Sequence, residues 1–140
     1  MSSPVGILVV THGEAGADML AAVRALTGPK TDGDDALAAV TVQPGETRET
    51  IKQHLADEVR HLDAGAGVLI ICDLFGSSPA NCCVDLKRGG ANVEVLCGLS
   101  MPMLVKLASI DRTSGTPGRL AHLAAETAVR SVRLGEGGAP

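Results

Sequence analysis

One histidine and one aspartate stand where two apolar runs of the sequence end. His12 follows the run that starts at Val5, and Asp73 closes the run that starts at Gly67. A carboxylate that accepts the proton of one imidazole nitrogen fixes the tautomer and leaves the other nitrogen free as a nucleophile. The two residues also have simpler interpretations, because histidines are common in solvated loops and aspartates often cap turns.

Groups that can hold an anion follow both residues. Gly13 comes directly after His12, and Ser77 and Ser78 come shortly after Asp73, each time where a helical pattern begins. Free N–H groups at two helix starts, together with a serine hydroxyl, could hold a phosphoryl group for attack by a neutral imidazole. The serines are equally explained as a helix start, with Ser78 as the N-cap and proline next.

Two further residues of these loops are candidates for contact with a partner protein. Phe75 is the only aromatic residue of the chain and lies on the second loop. It either fills the core or lies exposed for a partner, and the sequence leaves both interpretations open. Glu14 lies on the first loop beside His12 and would join Phe75 in a docking surface.

The elements that must position these loops form an alternating pattern. Runs rich in Val, Ile and Leu predict strands, and stretches with helical spacing of apolar residues lie between them. This alternation predicts an α/β three-layer sandwich around a mostly parallel four-stranded sheet of order 2-1-3-4, in which the loops of His12 and Asp73 border the same crevice. The predicted strands are 5–11, 37–42, 67–73 and 91–97; helices are predicted at about 15–27, 47–62 and 79–88, with one that ends near 109 and one that starts near 118.

Composition narrows the class of protein. The 140 residues predict one domain, 1–134, followed by a mobile tail, 135–140. A net charge of -4 without a cluster of Lys or Arg argues against nucleic acid and against a polybasic membrane anchor. The apolar runs are too short to span a bilayer and the N-terminus lacks the features of a signal peptide, so we expect a cytoplasmic protein.

The remaining potential ligands indicate no metal or cofactor site. Cys72, Cys82, Cys83 and Cys97 lack the spacing of zinc sites and are expected to be buried free thiols in a reducing compartment. The other histidines, His54, His61 and His122, are predicted on polar helix faces, and no nucleotide-binding fingerprint is present.

Four motifs, taken in order, resemble a known bacterial family. They are Gly-Ile-Leu-Val-Val-Thr-His-Gly ending at Gly13, Val-Gln-Pro-Gly-Glu at 42–46, Val-Leu-Ile-Ile-Cys-Asp-Leu-Phe-Gly-Ser-Ser-Pro-Ala-Asn at 68–81, and Gly-Leu-Ser-Met-Pro-Met-Leu-Val at 98–105. Over about 5–134 the chain resembles the enzyme IIA component of the mannose-family phosphotransferase system.

The resemblance implies a phosphohistidine carrier that needs no cofactor. It implies that His12 receives a phosphoryl group from HPr, that Asp73 hydrogen-bonds His12, that Ser78 contacts the phosphate, and that a IIB domain is the next acceptor. Members of this family form homodimers that exchange a terminal strand, which gives a use to residues 129–134. From the residues alone, that segment fits a helix end or a short strand equally well.

Two other functions stay open at this point. One is a regulatory interaction module whose binding changes when His12 is phosphorylated. The other is the phosphocarrier subunit of dihydroxyacetone kinase, which also carries an N-terminal histidine. The resemblance itself is compatible with sugar transport or with a shortened regulatory relay, because no IIB domain follows within the 140 residues.

Overall fold

Four parallel strands form the central sheet, with helices on both of its faces. The structure is a computed structural model that describes residues 3–28 and 35–137. The strand order is β2-β1-β3-β4, so the predicted α/β class and sheet order are confirmed. The elements are β1 (Gly6–His12), α1 (Ala15–Thr27), β2 (Leu37–Val42), α2 (Arg48–Leu62), β3 (Val68–Cys72), α3 (Ser78–Arg88), β4 (Val93–Cys97), α4 (Met101–Ser109) and α5 (Pro117–Ser131).

The register of the sheet brings the strand ends together at one edge. His12 at the end of β1 lies opposite Val42 at the end of β2. Cys72 at the end of β3 pairs with Val10 of β1 on one side and with Cys97 of β4 on the other. Because all four strands are parallel, the loops that follow them leave from this same edge.

Alternate residues of the strands belong to two separate aliphatic layers of the core, one on each face of the sheet. Ile7 and Val9 of β1 belong to the layer under α1, α4 and α5, whereas Leu8 and Val10 belong to the layer under α2 and α3. Strands buried on both faces read as continuous apolar runs, which is the pattern of β1 and β3. The expected layers of helix, sheet and helix are therefore present.

The start of α3 differs from the prediction by one residue. Ser77, and not Ser78, is the N-cap residue, because its hydroxyl accepts the N–H of Ala80. Pro79 consequently occupies the second helical position. A proline is tolerated there because the first N–H groups of a helix have no partner within the helix anyway.

The described chain beyond α5, residues 132–137, has no regular secondary structure. The helix ends at Ser131, so residues 129–131 are a helix end, and residues 132–137 after it are exposed. Val132 and Leu134 are 86% and 85% exposed. Residues 138–140 of the predicted tail lie outside the described residues. Within the described ranges, none of the helices has the length and apolar character needed to cross a membrane.

The thiols are free, and three of the four are buried. Cys72, Cys82 and Cys83 are buried, and Cys97 is partly buried. The Cys83 thiol, whose Sγ lies 3.7 Å from that of Cys72, acts together with burial to raise the pKa of Cys72. Burial raises the pKa of Cys97 to about 11. Thiols held uncharged in this way are weak nucleophiles at neutral pH.

Candidate functional site

The ring of His12 lies against the carboxylate of Asp73 at the carboxyl edge of the sheet. Its Nδ1 is 3.0 Å from Oδ2 and 3.2 Å from Oδ1 of Asp73. The backbone N–H of His12 also donates to Oδ2 of Asp73, at 2.9 Å. One carboxylate therefore holds both the main chain and the ring of His12, and 51% of the histidine side chain remains exposed.

The ionised state of Asp73 fixes the tautomer of His12. Burial raises the pKa of Asp73, but the hydrogen bonds from the His12 backbone and ring outweigh it and hold this pKa below its usual range. A carboxylate only accepts hydrogen bonds, so Nδ1 of the ring carries the proton. Nε2 then has a free lone pair and can act as a nucleophile.

Hydrogen bonds on both sides of His12 hold the turn from β1 to α1. Gly13 has a φ of +64°, which residues with a Cβ rarely adopt, and its N–H donates to the carbonyl of Val42 at 3.0 Å. The buried hydroxyl of Thr11 donates to the Gly13 carbonyl at 3.1 Å and accepts the N–H of Gly16 at 2.8 Å. The N–H of Gly13 is thus engaged within the protein, and Gly13 contributes the shape of the turn.

The two adjacent serines have different surroundings. The Ser77 hydroxyl donates to the Leu74 carbonyl at 2.8 Å and accepts the N–H of Ala80 at 3.4 Å. Ser78 is exposed, and its hydroxyl makes no hydrogen bond with the residues that the structure describes. The hydroxyl of Ser78 is therefore available to a ligand, whereas that of Ser77 is already used as a helix cap.

Backbone donors at two helix starts remain available near this pair. Within the described part of the chain, the N–H groups of Glu14, Ala15, Gly76 and Ser78 have no acceptor. Such groups at helix N-termini bind anions, and the helix dipole adds to the attraction. The sheet edge between the starts of α1 and α3 is thus suited to an anionic group.

Exposed side chains occupy both loops of the site. Phe75 is 85% exposed and Leu74 is 59% exposed, so the only phenylalanine of the chain lies outside the core. Glu14 is exposed at the N-cap position of α1 and makes no capping hydrogen bond with its side chain. Of the two interpretations of Phe75, the structure agrees with the exposed one.

The other histidines are on helix surfaces. His54 and His61 are exposed on α2, and His122 is exposed on α5, as predicted. In the ranges 3–28 and 35–137, no three His, Cys, Asp or Glu side chains are placed to hold a metal ion.

A family model accounts for most of the chain, including both loops of the site. The model with the description "PTS system fructose IIA component" matches residues 6–124, which run from the start of β1 into α5. The chain belongs to this family. Components of this kind transfer phosphoryl groups, which agrees with an imidazole ring held against a carboxylate at the edge of the sheet where two helices begin.

Individual relatives of the IIA chain come from several bacteria. It is 28% identical over 129 residues to the mannose-specific EIIAB component of the phosphotransferase system from Escherichia coli K12. That alignment covers 92% of the IIA chain but 39% of the relative, so the chain spans about two-fifths of the length of the curated relatives it matches.

Solved structures also match the IIA chain. The PTS IIA protein associated with the fucose utilization operon of Streptococcus pneumoniae is 26% identical, with a TM-score of 0.73, and the match covers 90% of this chain and 93% of that one. The mannose/sorbose-specific IIA subunit of Enterococcus faecalis has a TM-score of 0.79 over 99% of each chain. At 18% identity, the second likeness shows the fold alone.

Two features of the IIA site were not predicted from the sequence. Thr11 was included as a strand and motif residue without a role of its own, although its hydroxyl bridges the turn after His12. The backbone N–H of His12 was not expected to share the carboxylate of Asp73. The one available signal for the role of Thr11 was its position, directly before the candidate nucleophile and at the end of a buried strand.

Proposed function

We propose that this IIA chain is a phosphocarrier that accepts a phosphoryl group from HPr on His12 and passes it to a IIB domain. The observation that carries the proposal is the His12–Asp73 pair, in which Asp73 engages Nδ1 and the His12 side chain is 51% exposed, so that Nε2 of the neutral ring has a free lone pair. Membership in the IIA family supports it. The EIIAB name of the Escherichia coli relative supports a IIB domain as the next acceptor.

In the proposed step, the lone pair of Nε2 attacks the phosphorus atom carried by the donor protein. The N–P bond forms while the bond from phosphorus to the donor breaks, and the donor keeps that electron pair. The His12 ring retains its proton on Nδ1 and becomes positively charged. The carboxylate of Asp73 balances this charge at a distance already set before the reaction.

We assign the phosphoryl oxygens to donors at the two helix starts. The free hydroxyl of Ser78 and the N–H groups of Gly76 and Ser78 lie on the α3 side, and the N–H groups of Glu14 and Ala15 lie on the α1 side. They compensate the negative charge of the transferred group without moving during the reaction. Ser77 assists indirectly, because its cap fixes where α3 begins.

Both protein partners would dock over Phe75, Leu74 and Glu14. The two apolar side chains are exposed beside Asp73, where burial against a partner is favourable. Glu14 adds an acidic group next to His12 that would face a basic patch of the partner.

We further propose that residues 1–134 act as one domain that forms a homodimer by exchange of a terminal strand, in the cytoplasm expected from the sequence. The outer edge of β4 has no neighbouring strand in the described sheet. Val129, Val132 and Leu134 are between 76% and 86% exposed after the last core contacts of α5. An unpaired edge and an apolar segment of the same chain suit each other.

The proposal is tested by incubation with phosphoenolpyruvate, enzyme I and HPr. The wild-type chain should gain an acid-labile, base-stable phosphoryl group, and His12→Ala should gain none. His54→Ala is the matched control, since His54 is exposed on α2. Equal labelling of His12→Ala and wild type would overturn the proposal.

The destination of the phosphoryl group is tested separately. Addition of an isolated IIB domain should remove the label from the wild-type chain. Retention of the label with IIB, together with its loss to subunits of dihydroxyacetone kinase, would favour that alternative. Retention with both, together with a changed set of bound proteins, would favour the regulatory module.

A further inference from the structure

Thr11 is an unusual residue in this core. Its side chain is fully buried, and it is one of two buried polar or charged residues in the described part of the chain. It immediately precedes His12 in β1. A buried hydroxyl must have hydrogen-bond partners to be tolerated in such a place, so its partners indicate what it does.

Both hydrogen-bond partners of the Thr11 hydroxyl come after His12 in the chain. The hydroxyl donates to the carbonyl of Gly13 and accepts the N–H of Gly16 at the start of α1. It thereby bridges the turn that contains His12. Gly16 is buried, so removal of the hydroxyl would leave its N–H without an acceptor.

Close packing at Gly16 makes the bridge rigid. A Cβ on Gly16 would lie 2.9 Å from Cγ1 of Val9 and 3.0 Å from Oγ1 of Thr11. The first turn of α1 therefore rests directly on β1, with no room for a side chain between them. The main chain at His12 has little freedom to move between these two fixed points.

We infer that Thr11 is a positioning residue for His12, acting through the turn it bridges. With the bridge in place, the backbone N–H and Nδ1 of His12 both meet Asp73, at 2.9 and 3.0 Å. The bridge also engages the N–H of Gly16, which is then no longer among the free donors at the start of α1. The effect on the tautomer is independent of the proposed phosphocarrier function, whereas the effect on phosphoryl transfer rests on it.

The test compares Thr11→Val with Thr11→Ser. Valine keeps the shape of threonine but removes both hydrogen bonds, whereas serine keeps the hydroxyl. Thr41→Val is the matched control, because Thr41 lies opposite Thr11 on β2 and its hydroxyl bonds to none of the described residues. NMR of the ring nitrogens of His12 reports the tautomer, amide hydrogen exchange reports the Gly16 N–H, and labelling from HPr reports phosphoryl transfer.

We expect Thr11→Val to remain folded, to lose protection of the Gly16 N–H and to mix the tautomers of His12. We expect its transfer rate to fall about tenfold to a hundredfold, because misplacement of a reacting group is costly. Thr11→Ser should restore all three properties and Thr41→Val should change none. An unchanged tautomer in folded Thr11→Val would overturn the inference.

Two further outcomes separate this inference from the proposed function. If the wild-type chain takes no phosphoryl group, the proposed function fails, and the NMR comparison still decides the role of Thr11. If Thr11→Val does not fold, Gly16→Ala replaces it, because the added Cβ would push against the hydroxyl. A wild-type tautomer in folded Gly16→Ala would then count against the inference.

Discussion

At the scale of single residues, Asp73 combines two tasks that are often divided between two groups. It binds the backbone N–H of His12, which fixes the end of β1, and it binds Nδ1, which fixes the ring. The first task is structural and the second is chemical. Removal of the Asp73 charge should therefore lower both the stability of the protein and the rate of phosphoryl transfer. The pH dependence of unfolding measures the effect on stability separately.

For Asp73→Asn we expect phosphoryl transfer from HPr to slow by roughly a hundredfold, because the positive ring of phosphorylated His12 loses its counter-charge. The folded-state pKa of Asp73 lies below its usual value, so its contribution to stability is present above the unfolded-state pKa of about 3.9 and is lost as the pH falls through the folded-state pKa. Urea unfolding should show wild type more stable than the variant at neutral pH, and this difference should shrink on acidification.

The control for the transfer rate is Asp57→Asn, a change of the same kind on the exposed face of α2. Its rate of phosphorylation should match that of wild type. If the stability difference between wild type and Asp73→Asn grew as the pH fell, the pKa of Asp73 would not be lowered in the folded state.

At the scale of elements, the site is made of the starts of two helices on opposite faces of one sheet. Two residues separate the end of β1 from the start of α1, and α3 begins after a short loop from β3. Each start is held by a hydroxyl: that of Thr11 for α1 and that of Ser77 for α3. The free donors of both helices therefore lie at the same edge of the sheet as His12.

The serines of α3 allow the structural and chemical tasks to be separated. We expect Ser77→Ala to lower the free energy of unfolding by about 1 kcal/mol, the usual cost of a lost N-cap. We expect Ser78→Ala to change stability by less than about 0.5 kcal/mol and to slow phosphorylation of His12. Urea unfolding measures the stability of both variants, and the labelling assay measures their phosphorylation. If Ser78→Ala lost the stability and Ser77→Ala slowed the phosphorylation, Ser78 would be the cap.

The elements were predictable from the sequence because a core without aromatic residues leaves a clear aliphatic pattern. All four strands and the five helices were found within a few residues, and the sheet order followed from connection rules. The N-cap was misplaced because two adjacent serines before a proline fit the motif almost equally. The role of Thr11 was missed because a threonine in an apolar run is also an ordinary strand residue.

At the scale of the whole molecule, the described sheet has two edge strands, β2 and β4, and the chain after α5 is exposed. β4 has no outer neighbour among the described strands, and Val132 and Leu134 are exposed beyond α5. A sequence pattern of six residues could not decide between strand and helix here, because both periods fit so short a segment, and in the proposed dimer the answer would also depend on a second molecule. In the structure of a single chain, α5 ends at Ser131, and the described residues after it pair with no strand.

We expect the wild-type chain to be a dimer and the double variant Val132→Asp, Leu134→Asp to be a monomer at the same concentration. Charges at these positions would have to be buried in an exchanged strand, which is unfavourable. Analytical ultracentrifugation measures both states. Leu26→Asp is the matched control, because Leu26 is a 70% exposed leucine on α1. A wild-type chain that stays monomeric at high concentration would contradict the proposal.

The exposed position of Phe75 has a practical consequence for optical measurements. The chain contains no tryptophan or tyrosine, and its single phenylalanine lies two residues after Asp73 on the protein surface. The protein is therefore almost silent in near-ultraviolet absorbance and fluorescence. A Phe75→Trp replacement would introduce the only strong fluorophore, at a surface position where its emission responds to an arriving partner and not to the core.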